Sequence, residues 1–145
     1  MARIAFQARD FWLWMYPGDG ATLTGMSGFH EIITDLQVPT HELSRAIPET
    51  WAGFAAMHQA AVADGALPAR IKELIALAIA VAKECDGCIA YHAKAAARRG
   101  ATAEEVAEAL GVALLMNEGP ASVYAPRAWD AYQEFAHTTH HAVAS

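Results

Sequence analysis

Apolar side chains recur with a helical period along the chain beyond position 47. From Pro48 to Val62 they follow the i, i+3, i+4, i+7 spacing, which predicts a helix that has Pro48 at its first position and stops by Gly65. From Pro68 to about Lys83 the middle of the segment is apolar on every side, so it is predicted to be the buried central helix. No strand-like alternation competes with these periods. The sequence therefore predicts an all-α fold.

Capping residues mark the next two helices. Asp86 is a good N-cap for a third helix, which Gly100 is expected to end. Thr102 and Glu105 have the spacing of a capping box, in which each side chain bonds the backbone N–H of the other residue. A fourth helix is therefore predicted to begin directly after Thr102.

The first third of the chain shows weaker helical signals. Residues 1–47 are predicted to form an irregular N-terminal extension that packs on the helical body. Within it, a short helix is expected near residues 28–37, because Pro39 lacks a backbone N–H and tends to end helices, and another turn of helix is expected after Thr40. The aromatic residues of 11–16 are expected to pack over the helical body or across a subunit contact.

The C-terminal part is predicted to contain an interruption and a last helix. Gly119-Pro120 breaks the helical pattern, and the last helix covers about residues 121–136, bent near Pro126. Residues 137–145 have no apolar period and are expected to form a flexible tail. The helical domain is therefore placed at residues 48–136, as a bundle of about five to seven helices.

Composition narrows the class of protein. The 145 residues fit one domain, and the 54% of hydrophobic and 18% of charged residues suggest that part of the surface is buried against another copy. The longest apolar run, Leu74 to Ala82, is shorter than the about 20 residues of a membrane span, and no signal peptide is recognisable. The net charge of −6, with no basic cluster longer than Arg98-Arg99, argues against nucleic acid binding. We expect a cytoplasmic, self-associating protein without membrane or nucleic acid partners.

The two cysteines of the chain, Cys85 and Cys88, lie in one Cys-Asp-Gly-Cys motif. A lone CxxC motif without a signal peptide is typical of redox or metal chemistry. Its place at a helix start favours a thiolate, because unpaired backbone N–H groups and the positive end of the helix dipole meet there. The short spacing also allows a disulfide. Position alone leaves open which cysteine attacks first.

Two further residues are candidates for proton transfer. His92 lies four residues after Cys88, so both side chains share one helical face and the imidazole can take the thiol proton. Glu73 lies on the apolar central helix, where an unpartnered charge is costly to bury, and is the candidate that orients His92. His58, by contrast, is expected to be a core histidine. Tyr91 and Lys94 flank the motif but are expected to point elsewhere on the helix and to be structural.

Non-enzymatic alternatives remain open at this point. Cys85, Cys88 and His92 could supply three ligands of a structural zinc site, which normally has four, and a measurement of zinc content would separate this case. A second alternative is a helical oligomer that senses oxidation by forming the disulfide without turnover.

Several of these segments together resemble a known family. They are Lys72-Glu73-Leu74-Ile75-Ala76, then Cys85-Asp86-Gly87-Cys88-Ile89-Ala90-Tyr91-His92, then Ala96, and then Gly100-Ala101-Thr102-Ala103-Glu104-Glu105. Over about residues 48–136 the chain resembles the carboxymuconolactone decarboxylase-like superfamily and, more narrowly, the AhpD-type alkylhydroperoxidases. The spacing of the Glu, the CxxC motif and the His is much more specific than a CxxC motif alone.

The resemblance implies a catalytic set and its partners. Glu73 and His92 would form a proton relay that activates Cys88, and Cys85 would complete a redox disulfide. A hydroperoxide is then the substrate and an external dithiol, such as a lipoyl or thioredoxin-like protein, the reductant; no cofactor or metal is implied. The family assembles as trimers or larger oligomers, so a homo-oligomer (trimer or hexamer) is expected.

Two comparisons with the family pattern bear on the activity. Several AhpD enzymes have a His directly before the second cysteine, where this chain has Gly87. The decarboxylases that give the superfamily its name lack the CxxC pair, which argues against their lyase activity, although that activity stays as an alternative.

Overall fold

The protein is built from helices. The computed structural model describes residues 28–143, with side chains up to position 137, and contains no strand within this range. The helices are α1 (Phe29–Ala46), α2 (Pro48–Val62), α3 (Ala69–Ala82), α4 (Asp86–Arg98) and α5 (Ala103–Val143). The all-α prediction is confirmed, whereas the aromatic cluster of residues 11–16 lies outside the described residues. None of the helices from 28 to 143 is long and apolar enough to cross a membrane.

The core lies between α3, α4 and α5. Its largest fully buried apolar side chains come from all three helices: Leu77, Val81, Ile89, Val106 and Phe135. Buried alanines fill the remaining contacts of α4 and α5, and their small side chains let the helix axes approach closely. The helix α3 is not buried on all sides, however, because Ile75 and Ile79 on its outer face are half exposed.

Local capping explains where α5 begins and breaks. The Thr102 hydroxyl accepts a hydrogen bond from the Glu105 N–H at 3.2 Å, and the Glu105 carboxylate accepts one from the Thr102 N–H at 2.9 Å, as predicted. Within α5 the backbone leaves helical dihedrals at Glu118 (φ 43°, ψ −121°), directly before Gly119-Pro120. Pro126 lies inside the same helix, and the non-helical dihedrals within α5 are those of Glu118.

Two segments expected to be irregular are helical. The helix α1 continues through Pro39 to Ala46, although the sequence predicts its end at Pro39 and an irregular extension up to residue 47. At the other end, α5 continues to Val143, beyond position 137 where fraying is predicted. In both cases the sequence pattern, a proline at one end and a missing apolar period at the other, predicts a helix that is too short.

The N-terminus of α1 is capped by a side chain from α5. The Glu134 carboxylate accepts hydrogen bonds from the backbone N–H groups of Phe29 at 2.9 Å and His30 at 2.8 Å, and it also contacts the His30 ring. Burial raises the pKa of Glu134, but the hydrogen bonds from His30 and Phe29 outweigh it and leave this pKa below its ordinary value of 4.5. This contact fixes α1 against the end of the molecule that carries Phe135.

The helix α2 has no buried residue. Its Phe54 and Met57 side chains are more than half exposed, although the helical period of the sequence gives α2 an inward-facing stripe. This stripe faces an open cleft rather than the core.

We predict that Glu134→Gln destabilises the fold by about 1 kcal/mol at pH 6, because the variant keeps the shape of the cap but loses its charge. The folded state lowers the pKa of Glu134, so the stabilisation is present above the unfolded value of 4.5 and is lost as the pH falls through the lower folded value. Urea unfolding followed by circular dichroism from pH 6 to pH 3.5 should show the difference between variant and wild type shrink. A difference that stays constant over this range would contradict this account of the cap.

Candidate active site

The CxxC motif lies at the start of α4. Cys85 is the N-cap of the helix, one residue earlier than predicted, and its Sγ accepts a hydrogen bond from the Cys88 N–H at 3.2 Å. Asp86 does not cap the helix because its carboxylate is engaged by Arg127, whose Nε and Nη2 donate to it at 2.9 and 2.6 Å. This bidentate pair ties the cysteine end of α4 to α5.

Cys85 and Cys88 are joined by a disulfide with a Cα–Cα distance of 5.3 Å. The first turn of the helix brings their sulfur atoms together at a sequence separation of three. Cys88 is exposed and Cys85 is half-buried. A disulfide with one exposed sulfur is compatible with a redox role.

Glu73 and His92 are in direct contact. Glu73 projects from α3 with 1% of its side chain exposed, and its Oε2 lies 2.9 Å from His92 Nδ1. An ionised carboxylate can only accept a hydrogen bond, so Nδ1 carries the proton and Nε2 is left as the basic nitrogen. His92 lies one turn after Cys88 on the same helix. The pairing that spacing alone left open is therefore present in the structure.

The second Glu73 oxygen is bonded by a residue that the sequence analysis missed. Arg99 Nε lies 3.2 Å from Glu73 Oε1, and the arginine side chain is 40% exposed. Two donors, one on α4 and one at its C-cap, thus balance one buried carboxylate on α3. The available signal was the spacing of seven residues between His92 and Arg99, which places both on one helical face.

The reactive groups open into a cleft of about 1180 Å³ between α4 and the two N-terminal helices. The lining from α1 and α2 is mainly apolar and includes Leu36, Trp51 and Phe54. From the other side, Cys88 and His92 face the same space. The cleft therefore gives an apolar molecule access to the exposed sulfur.

Three predictions for individual residues are wrong. His58 is not a core histidine: it is exposed on α2, lines the cleft, and its ring centroid lies 6.1 Å from that of His92. Tyr91 and Lys94, expected to point elsewhere, line the cleft as well. The reason is that α2 covers this part of α4 without closing on it, so both helices keep a surface toward the cleft.

The residues of a zinc site are not grouped in the described part of the chain. No three His, Cys, Asp or Glu side chains within it are arranged to hold a metal ion. In this oxidised form, both sulfur atoms of the candidate ligand set are bonded to each other.

Comparison with known proteins identifies the family. The model of the carboxymuconolactone decarboxylase family matches residues 48–131. The chain belongs to this family. Similar relatives include an uncharacterised protein of Cupriavidus necator, 41% identical over 66% of this chain and 85% of its own, and the uncharacterised protein 4 of the cox locus of Paracoccus denitrificans, 44% identical over 60% and 78%.

A solved structure supports the same assignment. The apo crystal structure of a carboxymuconolactone decarboxylase family protein from Legionella pneumophila has a TM-score of 0.73 and 42% sequence identity. The match covers 74% of this chain and 96% of the Legionella chain. Membership of the carboxymuconolactone decarboxylase family and the all-α fold thus agree with the resemblance seen in the sequence.

We predict that Glu73→Gln slows alkylation of reduced Cys88 at pH 7 by at least about tenfold, because His92 loses the charged acceptor that orients its ring toward the thiol. Because the variant also loses the charge of a buried pair, its thermal unfolding temperature should fall, so labelling is measured at a temperature where both proteins are folded. Iodoacetamide labelling followed by mass spectrometry measures the rate, and Glu108→Gln, at an exposed position of α5, is the matched control. A wild-type labelling rate in Glu73→Gln would show that the carboxylate does not act on the thiol.

Proposed function

We propose that this member of the carboxymuconolactone decarboxylase family is a thiol-dependent peroxidase of the AhpD type. One observation supports this most strongly: the buried Glu73–His92 hydrogen bond lies one helical turn from the Cys85–Cys88 disulfide. A base held by a carboxylate beside a redox-active thiol pair is what peroxide reduction requires. A lyase reaction does not require a redox disulfide.

In the proposed first step, Cys88 attacks the peroxide. Its thiol proton passes to His92 Nε2, and the thiolate sulfur bonds to one peroxide oxygen while the O–O bond breaks. The products are a Cys88 sulfenic acid and, after protonation of the leaving oxygen, an alcohol. Cys88 is assigned to this step because it is the exposed cysteine and shares a helical face with His92.

In the second step, Cys85 closes the cycle. Its sulfur attacks the Cys88 sulfenic acid, which forms the disulfide and releases water. An external dithiol, from a lipoyl or thioredoxin-like protein, then reduces the disulfide by two exchange steps and becomes a disulfide itself. No cofactor or metal takes part in this cycle. We place the reaction in the cytoplasm, where such dithiols are kept reduced.

The lining of the cleft favours organic hydroperoxides as substrates. Leu36, Trp51 and Phe54 present apolar surface opposite the exposed sulfur of Cys88. Burial of an alkyl group against them contributes binding free energy that hydrogen peroxide cannot supply.

The exposed apolar residues favour a homo-oligomer. In the part of the chain that the structure describes, no α2 residue is buried, and Leu115 and Met116 near the α5 kink are more than three-quarters exposed. Apolar surface of this kind is typical of contacts between subunits. We propose a trimer or hexamer in which α2 and the kink region pack against further copies.

Replacement of each cysteine tests the peroxidase. Cys88→Ser should reduce turnover of cumene hydroperoxide with dihydrolipoamide to the background rate, because the attacking sulfur is absent. Cys85→Ser should consume one equivalent of peroxide and stop at the sulfenic acid, which dimedone traps for mass spectrometry.

Three outcomes would contradict parts of this proposal. Wild-type turnover in Cys88→Ser would exclude Cys88 as the attacking residue. A dimedone adduct on Cys85 in Cys88→Ser would exchange the two roles. A wild-type protein that forms its disulfide with peroxide but does not turn over with any dithiol would be a redox sensor and not a peroxidase.

A further inference from the structure

A second imidazole faces the reactive groups from the opposite wall of the cleft. His58 is exposed on α2, and it lines the cleft together with Cys85, Cys88 and His92. Its ring centroid lies 6.1 Å from that of His92, with an angle of 30° between the ring planes. The hydrogen bonds and ion pairs found between residues 28 and 137 include none to His58, whose ring contacts are with Phe54 and His92.

Peroxide reduction requires two proton transfers at different atoms. The thiol loses a proton at sulfur, and the oxygen that leaves as alkoxide gains one. His92 has only one nitrogen for this work, because Glu73 holds its Nδ1 at 2.9 Å. The remaining nitrogen, Nε2, holds the Cys88 proton at the moment when the O–O bond breaks. A separate proton donor at the leaving oxygen therefore lowers the activation barrier of peroxide reduction.

The distance between the two rings fits a shared substrate. The ring centroids lie 6.1 Å apart, so a hydroperoxide whose near oxygen is attacked by Cys88 beside His92 can direct its far oxygen toward His58. A ring contact with Phe54, at 6.5 Å between centroids, places the imidazole beside the apolar part of the cleft. An alkyl hydroperoxide with its alkyl group against Phe54 would therefore present an oxygen to His58.

We infer that His58 is a second catalytic residue, the proton donor to the leaving alkoxide. This inference rests on the proposed peroxidase activity. As the Cys88 thiolate bonds to the near oxygen and the O–O bond breaks, the electron pair of that bond goes to the far oxygen. Protonated His58 transfers its proton to that oxygen, which leaves as the alcohol, and neutral His58 regains a proton from water. His92 keeps the thiol proton until Cys88 sulfenic acid condenses with Cys85.

Two oxidants with different leaving groups test this role. Reduction of tert-butyl hydroperoxide expels an alkoxide that needs a proton, whereas peracetic acid expels acetate, which is stable as an anion. Single-turnover disulfide formation in the full-length reduced protein is followed by stopped-flow tryptophan fluorescence and checked by thiol count. His58→Gln should react with tert-butyl hydroperoxide at least about tenfold more slowly, and with peracetic acid within about twofold of wild type.

The controls separate a catalytic from a structural role. Alkylation of Cys88 by iodoacetamide needs no proton donor and should be unchanged in His58→Gln. Gln59→Ala, at the next and likewise exposed position of α2, should leave both oxidants unaffected. His58→Asn replaces the Gln variant should the latter not fold.

Two patterns would overturn the inference. Equal slowing with both oxidants would show that His58 only shapes the cleft, and no slowing with either would show that the alkoxide takes its proton elsewhere. A wild-type protein that reduces neither oxidant would instead overturn the proposed peroxidase activity itself.

Discussion

The Glu73 carboxylate is removed from water, and both of its oxygens are bonded from a neighbouring helix. A buried charge of this kind costs several kcal/mol unless well-placed partners compensate it. Both partners come from one segment, since His92 lies on α4 and Arg99 is its C-cap residue, so the compensation is complete in only one arrangement of α3 against α4. The same contact holds His92 one helical turn after the CxxC motif at the start of α4. The Glu73–His92 contact thus both compensates a buried charge in the core and orients the base of the site.

A second ion pair fixes the other side of the motif. Asp86, between the two cysteines, is held by Arg127 of α5, which also lies over the Phe29 ring of α1. Its carboxylate is thereby neutralised close to a thiol that must ionise, since an unpaired negative charge there would disfavour a thiolate. The core helices thus provide a rigid wall that carries the sulfur atoms. The thinly packed α1 and α2 provide the opposite wall, with His58 and the apolar surface.

Interactions between residues close in the sequence made much of the fold and of the site predictable. The capping box of Thr102 and Glu105 acts over three residues and is found as predicted, and the helical periods fixed the all-α class. The Glu73–His92 pair could be predicted because a carboxylate on an apolar helix requires a partner. Contacts between distant segments could not be predicted from local patterns. Arg127 lies 41 residues from Asp86, and Glu134 lies 105 residues from the Phe29 N–H that it caps. His58 was misassigned because an apolar stripe shows which face of a helix is buried or covered, but not what covers it.

A thiol count in the wild-type protein tests the central claim, that Cys85 and Cys88 form a redox couple driven by peroxide. Reduced protein is treated with one equivalent of cumene hydroperoxide, quenched by alkylation and analysed by mass spectrometry, before and after addition of dihydrolipoamide. If Cys85 and Cys88 form this redox couple, both alkylatable thiols are lost rapidly and are recovered with the dithiol. Two thiols that remain alkylatable after the peroxide would contradict it and would direct attention to bound metal or to lyase chemistry.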